Sequence, residues 1–149
     1  VTAVIGLTFA LGGIASALGI VLLERRFFST RRLRSMLAVT SILTAGVHLL
    51  LALSNSMWLF VLAFTLASLL NAAMVPGTNA LIAFNVSRTR RGTAFGLASG
   101  AQALAFMVGP MGAALFAATS LKAGFAVLSA LLGGLAVLIG FAVREPTMK

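Results

Sequence analysis

Five stretches of this chain, residues 3–23, 36–54, 57–84, 93–119 and 123–143, contain no lysine, arginine, aspartate or glutamate. That feature leaves few folds open. A helix needs about 20 residues to cross the roughly 30 Å of bilayer hydrocarbon, and each stretch is about that long or longer. About a quarter of the residues in a soluble domain are charged, whereas here 9% of 149 are charged and 60% are hydrophobic. So apolar a surface would aggregate in water, which makes the bilayer the fitting solvent. Barrel strands alternate over roughly ten residues, and these continuous runs of Ala, Leu, Gly and Val do not. The expected fold class is therefore an all-α membrane protein of five transmembrane helices. It forms one bundle, since no long Pro-, Ser- or charge-rich linker divides it.

The charges that remain fall into the breaks. Eleven basic and two acidic residues give a net charge of +9. Five spans place Arg25, Arg26, Arg31, Arg32, Arg34, Arg88, Arg90, Arg91, Arg144 and Lys149 on one face, and Lys122 alone on the other. Basic residues concentrate in cytoplasmic loops. The C-terminus is thus expected inside the cell, Val1 outside, and residues 54–56 in a tight external turn with Trp58 at interfacial depth. This loop bias accounts for the basic excess without a nucleic-acid partner. With no cysteine and one histidine, thiolate and disulfide chemistry is excluded, and the spans hold no carboxylate for intramembrane catalysis. No enzyme activity, metal or cofactor is expected.

The chain starts at Val1 and runs apolar to Leu23 before any basic residue appears. A signal peptide has the reverse order, so this segment reads as a span, and the start without Met suggests a fragment. The first span carries small residues at four-residue spacing, Gly12 with Ser16 and Ala15 with Gly19; the fourth carries Gly92, Gly96, Gly100 and then Gly109 with Ala113. Such spacings let helices approach closely, either as ordinary packing or as a sliding interface between two bundles. Pro110 in the fourth span and Pro76-Gly77 in the third each remove a backbone donor, so a break or kink is expected at each. In the third span Thr65, Ser68, Asn71 and Thr78 or Asn79 form a polar stripe; in the fourth, Phe95, Ser99, Gln102 and Phe106 recur at three- to four-residue spacing. These faces suit either a mostly apolar substrate pocket or interhelical hydrogen bonds. His48, alone among leucines, reads as a packed residue or a proton carrier.

The run from Arg91-Gly92 through Gly96, Gly100 and Gln102 to Gly109-Pro110-Met111-Gly112 resembles the eleventh helix of major facilitator superfamily transporters, in the manner of the twelve-helix multidrug exporters. Relative to the antiporter element of the symmetry-related fifth helix, the second glycine is shifted here, as Gly112 or Ala113. The segment from Gly19 through Glu24-Arg25-Arg26 to Arg31-Arg32 resembles that family's cytoplasmic loop motif, with the loop glycine missing. The resemblance implies that the five spans are helices 8 to 12 of a partial C-terminal bundle. The seventh helix and the N-terminal half would lie outside the sequence.

From the resemblance follow a third span beside the central cavity, first and fourth spans at the interface between halves, and second and fifth spans as outer support. Substrate-cavity candidates are Thr65, Ser68, Asn71, Thr78, Ser99, Gln102 and Phe106. Interface and gating candidates are Gly12, Gly19, Gly96, Gly100, Gly109 and Pro110. The loop-motif residues Glu24, Arg25, Arg26, Arg31, Arg32 and Arg91 either hold the cytoplasmic side closed or act only as topology signals. The implied activity is alternating-access efflux of drugs or other apolar or cationic compounds coupled to protons, in a bacterial inner membrane. The partners are lipid, substrate and the N-terminal half. Two rival readings stand beside it, a transporter of a metabolite or sugar and a small nontransport scaffold complete at five spans.

Overall fold

The structure, a computed structural model, describes residues 2–29 and 33–143, without the side chains of Thr2 and residues 23–29. Among the described residues every regular element is helical: α1 (Thr2–Ser29), α2 (Leu33–Leu53), α3 (Met57–Ala72), α4 (Met74–Asn85), α5 (Arg91–Thr119) and α6 (Leu121–Ala142), with a 3₁₀ turn at Arg88–Arg90. Five segments are long and apolar enough to cross a membrane, α3 and α4 together making the third. The expected spans match these segments, with shifts at the ends. The second begins at Leu33 rather than residue 36, because the Arg34 guanidinium donates to the Gly140 carbonyl at the end of α6. A long basic side chain can lie along apolar surface and place its charge at the rim.

The third span breaks at Ala73, three residues before the expected position. Pro76 offers no N–H to the carbonyl of Ala72, and its ring crowds that oxygen, so the fault appears one turn upstream. There the Ala73 amide donates to Leu70 O at 3.3 Å. Ala73 is fully buried and packs with Leu33, Leu37 and Ala80. Irregular backbone at membrane depth is tolerated where protein covers it, and α2 supplies that cover. At Pro110 the outcome differs, since α5 runs unbroken from Arg91 to Thr119.

α2 is the hub of the bundle. It packs against α3, α4 and α6, whereas α5 packs on α4 and α6. Half of the α2 span is buried and none of the α5 span is. Along α2 lie the buried hydroxyls of Thr40, Ser41 and Thr44. Thr40 Oγ1 donates to Met36 O at 2.8 Å, and Thr44 Oγ1 to Thr40 O at 2.7 Å, so each threonine is satisfied by its own helix. Ser129 Oγ of α6 donates to Ala45 O of α2 at 2.7 Å, pinning the two helices. Ser41 Oγ is buried with no hydrogen-bond partner among the described residues. A buried hydroxyl left unpaired costs about 1–3 kcal/mol. Ser41→Ala is therefore expected to leave thermal stability unchanged or raise it, and a drop of several degrees in the melting temperature of the purified protein would refute this.

Hydrogen bonds near the helix ends tie α2 and its following turn to α6 at both ends of the bundle. Lys122 Nζ donates to Asn55 Oδ1, which ties the α2–α3 turn to the α5–α6 turn at one end of the bundle. The Arg34 to Gly140 bond joins α2 and α6 at the other. At the first end Ser54 Oγ donates to Ser56 O at 3.0 Å within the expected tight turn, and Trp58 beside it is exposed.

Candidate functional site

The polar stripe of the third span is divided between two surroundings. Thr65, Ser68 and Thr78 each donate to the carbonyl four residues back, Val61 at 2.8 Å, Phe64 at 2.9 Å and Met74 at 2.8 Å. Their protons are thus committed, and their oxygens remain as acceptors. Ser68 faces α1: a Cβ added to Gly12 would lie 3.0 Å from Ser68 Oγ, and Ser16 Oγ of α1 donates to Ser68 O at 3.2 Å. Asn71 and Thr78 are exposed. The Asn71 amide makes no hydrogen bond among the described residues, beside the break where the chain changes from α3 to α4.

Gly12 and Gly19 are the residues that let α1 lie against α3. A Cβ at Gly19 would fall well inside contact distance of the Leu69 carbonyl oxygen and 3.2 Å from Ala72 Cβ; one at Gly12 would meet Phe64 Cε1 at 3.0 Å. Only glycine allows backbone to approach this closely. The small face of α1 is thus filled by α3 of the same bundle.

α5 is the opposite case. A Cβ added at Gly96, Gly100 or Gly109 would meet nothing within 4 Å. Ser99, Gln102 and Phe106 are exposed, Phe106 by 73%, and Pro110 is exposed as well. Neither Ser99 nor Gln102 makes a side-chain hydrogen bond among the described residues. The cavity candidates are therefore not one cluster within these helices: Ser68 gathers with Gly12 and Ser16, while Ser99, Gln102 and Phe106 lie along an open face of α5.

A groove of about 330 Å³ runs between α5 and α6, lined by Val108, Gly109, Gly112, Phe116, Gly124 and Leu128 among others. Every residue lining it is apolar or glycine. Gly124 is buried beneath Phe116, whose Cβ would lie 2.8 Å from a Cβ placed there. α5 and α6 meet closely at that point.

Two arrangements were not among the sequence candidates. The first is a file of rings crossing four helices: Phe9 to Phe64 at 5.8 Å, Phe64 to Phe60 at 6.2 Å, Phe60 to Phe125 at 5.9 Å and Phe125 to His48 at 6.4 Å between centroids. The four-residue spacing of Phe60 and Phe64 was the available signal. His48 Nδ1 lies 2.8 Å from Thr44 O. A carbonyl only accepts, so Nδ1 carries the hydrogen and a neutral ring offers Nε2 as acceptor. The second arrangement is the buried hydroxyl row of α2, hidden from sequence because Thr and Ser at membrane depth look alike whether they serve packing or a ligand.

Among the basic residues, Arg91 Nε donates to Val86 O at 3.1 Å, bracing the exit of α4, and Arg34 is held by Gly140. Arg31 and Arg32 lie outside the described residues, and of Glu24, Arg25 and Arg26 only the helical backbone in α1 is described. Among the described residues no three of His, Cys, Asp or Glu gather as metal ligands.

A family model described as Major Facilitator Superfamily matches residues 2–149. No curated protein and no solved structure matches the chain.

Proposed function

The chain belongs to the major facilitator superfamily, and from that premise we propose that it forms part of the C-terminal bundle of an exporter that moves apolar or cationic compounds by alternating access, coupled to proton entry. It is a multi-pass membrane protein of a transport family. The observation that carries the finer reading is the open face of α5. An exposed strip of glycines with one amide, one hydroxyl and one aromatic ring provides close approach for a facing helix and a sparse set of polar groups for an apolar ligand. In this reading the N-terminal half of the transporter faces α5 across the substrate path, with Ser99, Gln102 and Phe106 toward the cavity. Asn71 and Thr78, near the break in the third span, would supply the remaining polar contacts. Broken helices border substrate sites in many transporters, and the pairing of Ala73 with Pro76 supports that use here.

The described spans contain no acidic residue, so the carboxylates that proton coupling needs would come from elsewhere in the transporter. Among the cavity candidates the Thr65, Ser68 and Thr78 protons are already committed to their own helix, which favours apolar cargo over sugars, whose hydroxyls need many polar partners. The test is accumulation of a fluorescent lipophilic cation in cells expressing the full-length transporter. Expression is expected to lower accumulation, and collapse of the proton gradient to restore it. Phe106→Ala should weaken export by roughly tenfold or more, the scale of one lost apolar contact at a site. If accumulation is the same with and without the transporter, while a sugar or metabolite is carried, the efflux reading is wrong.

A further inference from the structure

The basic residues of the described chain fall into two kinds that sequence alone does not separate. Arg34 and Arg91 are tied to backbone carbonyls, Gly140 O and Val86 O, and serve the fold. Arg88 and Arg90 are exposed on the 3₁₀ turn between α4 and α5, with no hydrogen bond or ion pair from either side chain among the described residues. Between and beside them stand the exposed hydroxyls of Ser87 and Thr89, 3.3 Å apart. The turn joins the third and fourth candidate spans, a junction that falls in the headgroup region when both helices cross the bilayer. Arg91, folded back to brace α4, holds the turn in place.

We propose that Arg88 and Arg90, with the Ser87 and Thr89 hydroxyls, form a binding site for the phosphate of an anionic phospholipid in the leaflet at this end of the bundle. Charge complementarity carries the choice of occupant. Two guanidinium groups with no side-chain partner among the described residues stand at the junction of two spans, within reach of lipid headgroups, and guanidinium pairs bidentately with phosphate. Each basic residue near an anionic membrane surface contributes about 1 kcal/mol, which corresponds to about a fivefold gain in lipid retention.

The experiment is native mass spectrometry of the full-length protein, released from bilayers containing equal amounts of phosphatidylglycerol and phosphatidylcholine. The wild-type protein is expected to retain phosphatidylglycerol preferentially, with the preference falling as salt is raised and unaffected by excess inorganic phosphate. In the R88Q/R90Q variant retention of phosphatidylglycerol should drop roughly 25-fold at low salt, two fivefold steps together, and R88K/R90K should keep much of it. Equal retention of the two lipids by the wild-type protein would overturn the proposal without reference to any variant. So would an unchanged preference in R88Q/R90Q, or displacement of the lipid by inorganic phosphate. None of these readouts involves transport, so the lipid site and the exporter reading stand or fall separately.

Discussion

Gly19→Ala is expected to produce a protein that accumulates poorly and melts well below the wild type. The added Cβ would fall on the Leu69 carbonyl oxygen, and backbone cannot rotate away as a side chain can. Relief requires α1 to withdraw from α3 along the Gly12–Ser16–Gly19 face, which also weakens the Ser16 to Ser68 bond. Overpacking of this kind costs about 1–3 kcal/mol. Gly12→Ala is the internal comparison. Its Cβ would meet the edge of the Phe64 ring and the Ser68 hydroxyl at 3.0 Å, both able to give by a few tenths of an ångström, so its loss should be the smaller of the two. Thermal unfolding of both variants in detergent, followed by fluorescence, checks the order. Equal melting temperatures for Gly19→Ala and wild type would mean that α1 does not lie on α3 as described.

Gly100→Leu should behave in the reverse way, preserving the fold and stopping transport. Nothing lies within 4 Å of a Cβ at Gly100 and the residue is exposed, so a leucine there is expected to fit without displacing a neighbour among the described residues. If α5 faces the rest of the transporter, the same side chain would hold the two halves apart. Export by the full-length protein should then fall by roughly tenfold or more, the scale of an apolar group misplaced at a functional contact, while expression and membrane insertion stay near wild-type levels. Normal export by Gly100→Leu would place the glycine face of α5 against lipid and remove the main support for the exporter geometry.

The fold was largely legible because the bilayer reduces the problem to length and charge. Five uncharged runs define five helices, and little in the local chemistry opposes them. What sequence did not resolve is which face of each helix meets which neighbour. Gly12 and Gly96 sit in similar small-residue runs, yet one is covered by Phe64 and Ser68 and the other is open. The difference comes from helix order in three dimensions, not from spacing. Ser68 and Gln102 look equally suited to a cavity by type, yet Ser68 is committed to Phe64 O and the α1 contact. The break at Ala73 could be read to within one turn, since a proline acts on the carbonyl four residues before it. Pro110 carries the same local chemistry without a break, so the outcome is set by surroundings: Ala73 is packed against α2, and Pro110 stands exposed.

The dependence of the bundle on α2 has a consequence for how the protein is made. α2, the helix that most needs neighbours, emerges before α6, which supplies the Ser129 to Ala45 and Arg34 to Gly140 bonds. At synthesis rates of about 5–20 residues per second, several seconds separate the two. During that interval the face of α2 on which α6 packs has no cover from α6. Nascent chains stalled before α6 would therefore keep the Ala45 carbonyl and the Arg34 guanidinium without the partners they have in the finished bundle.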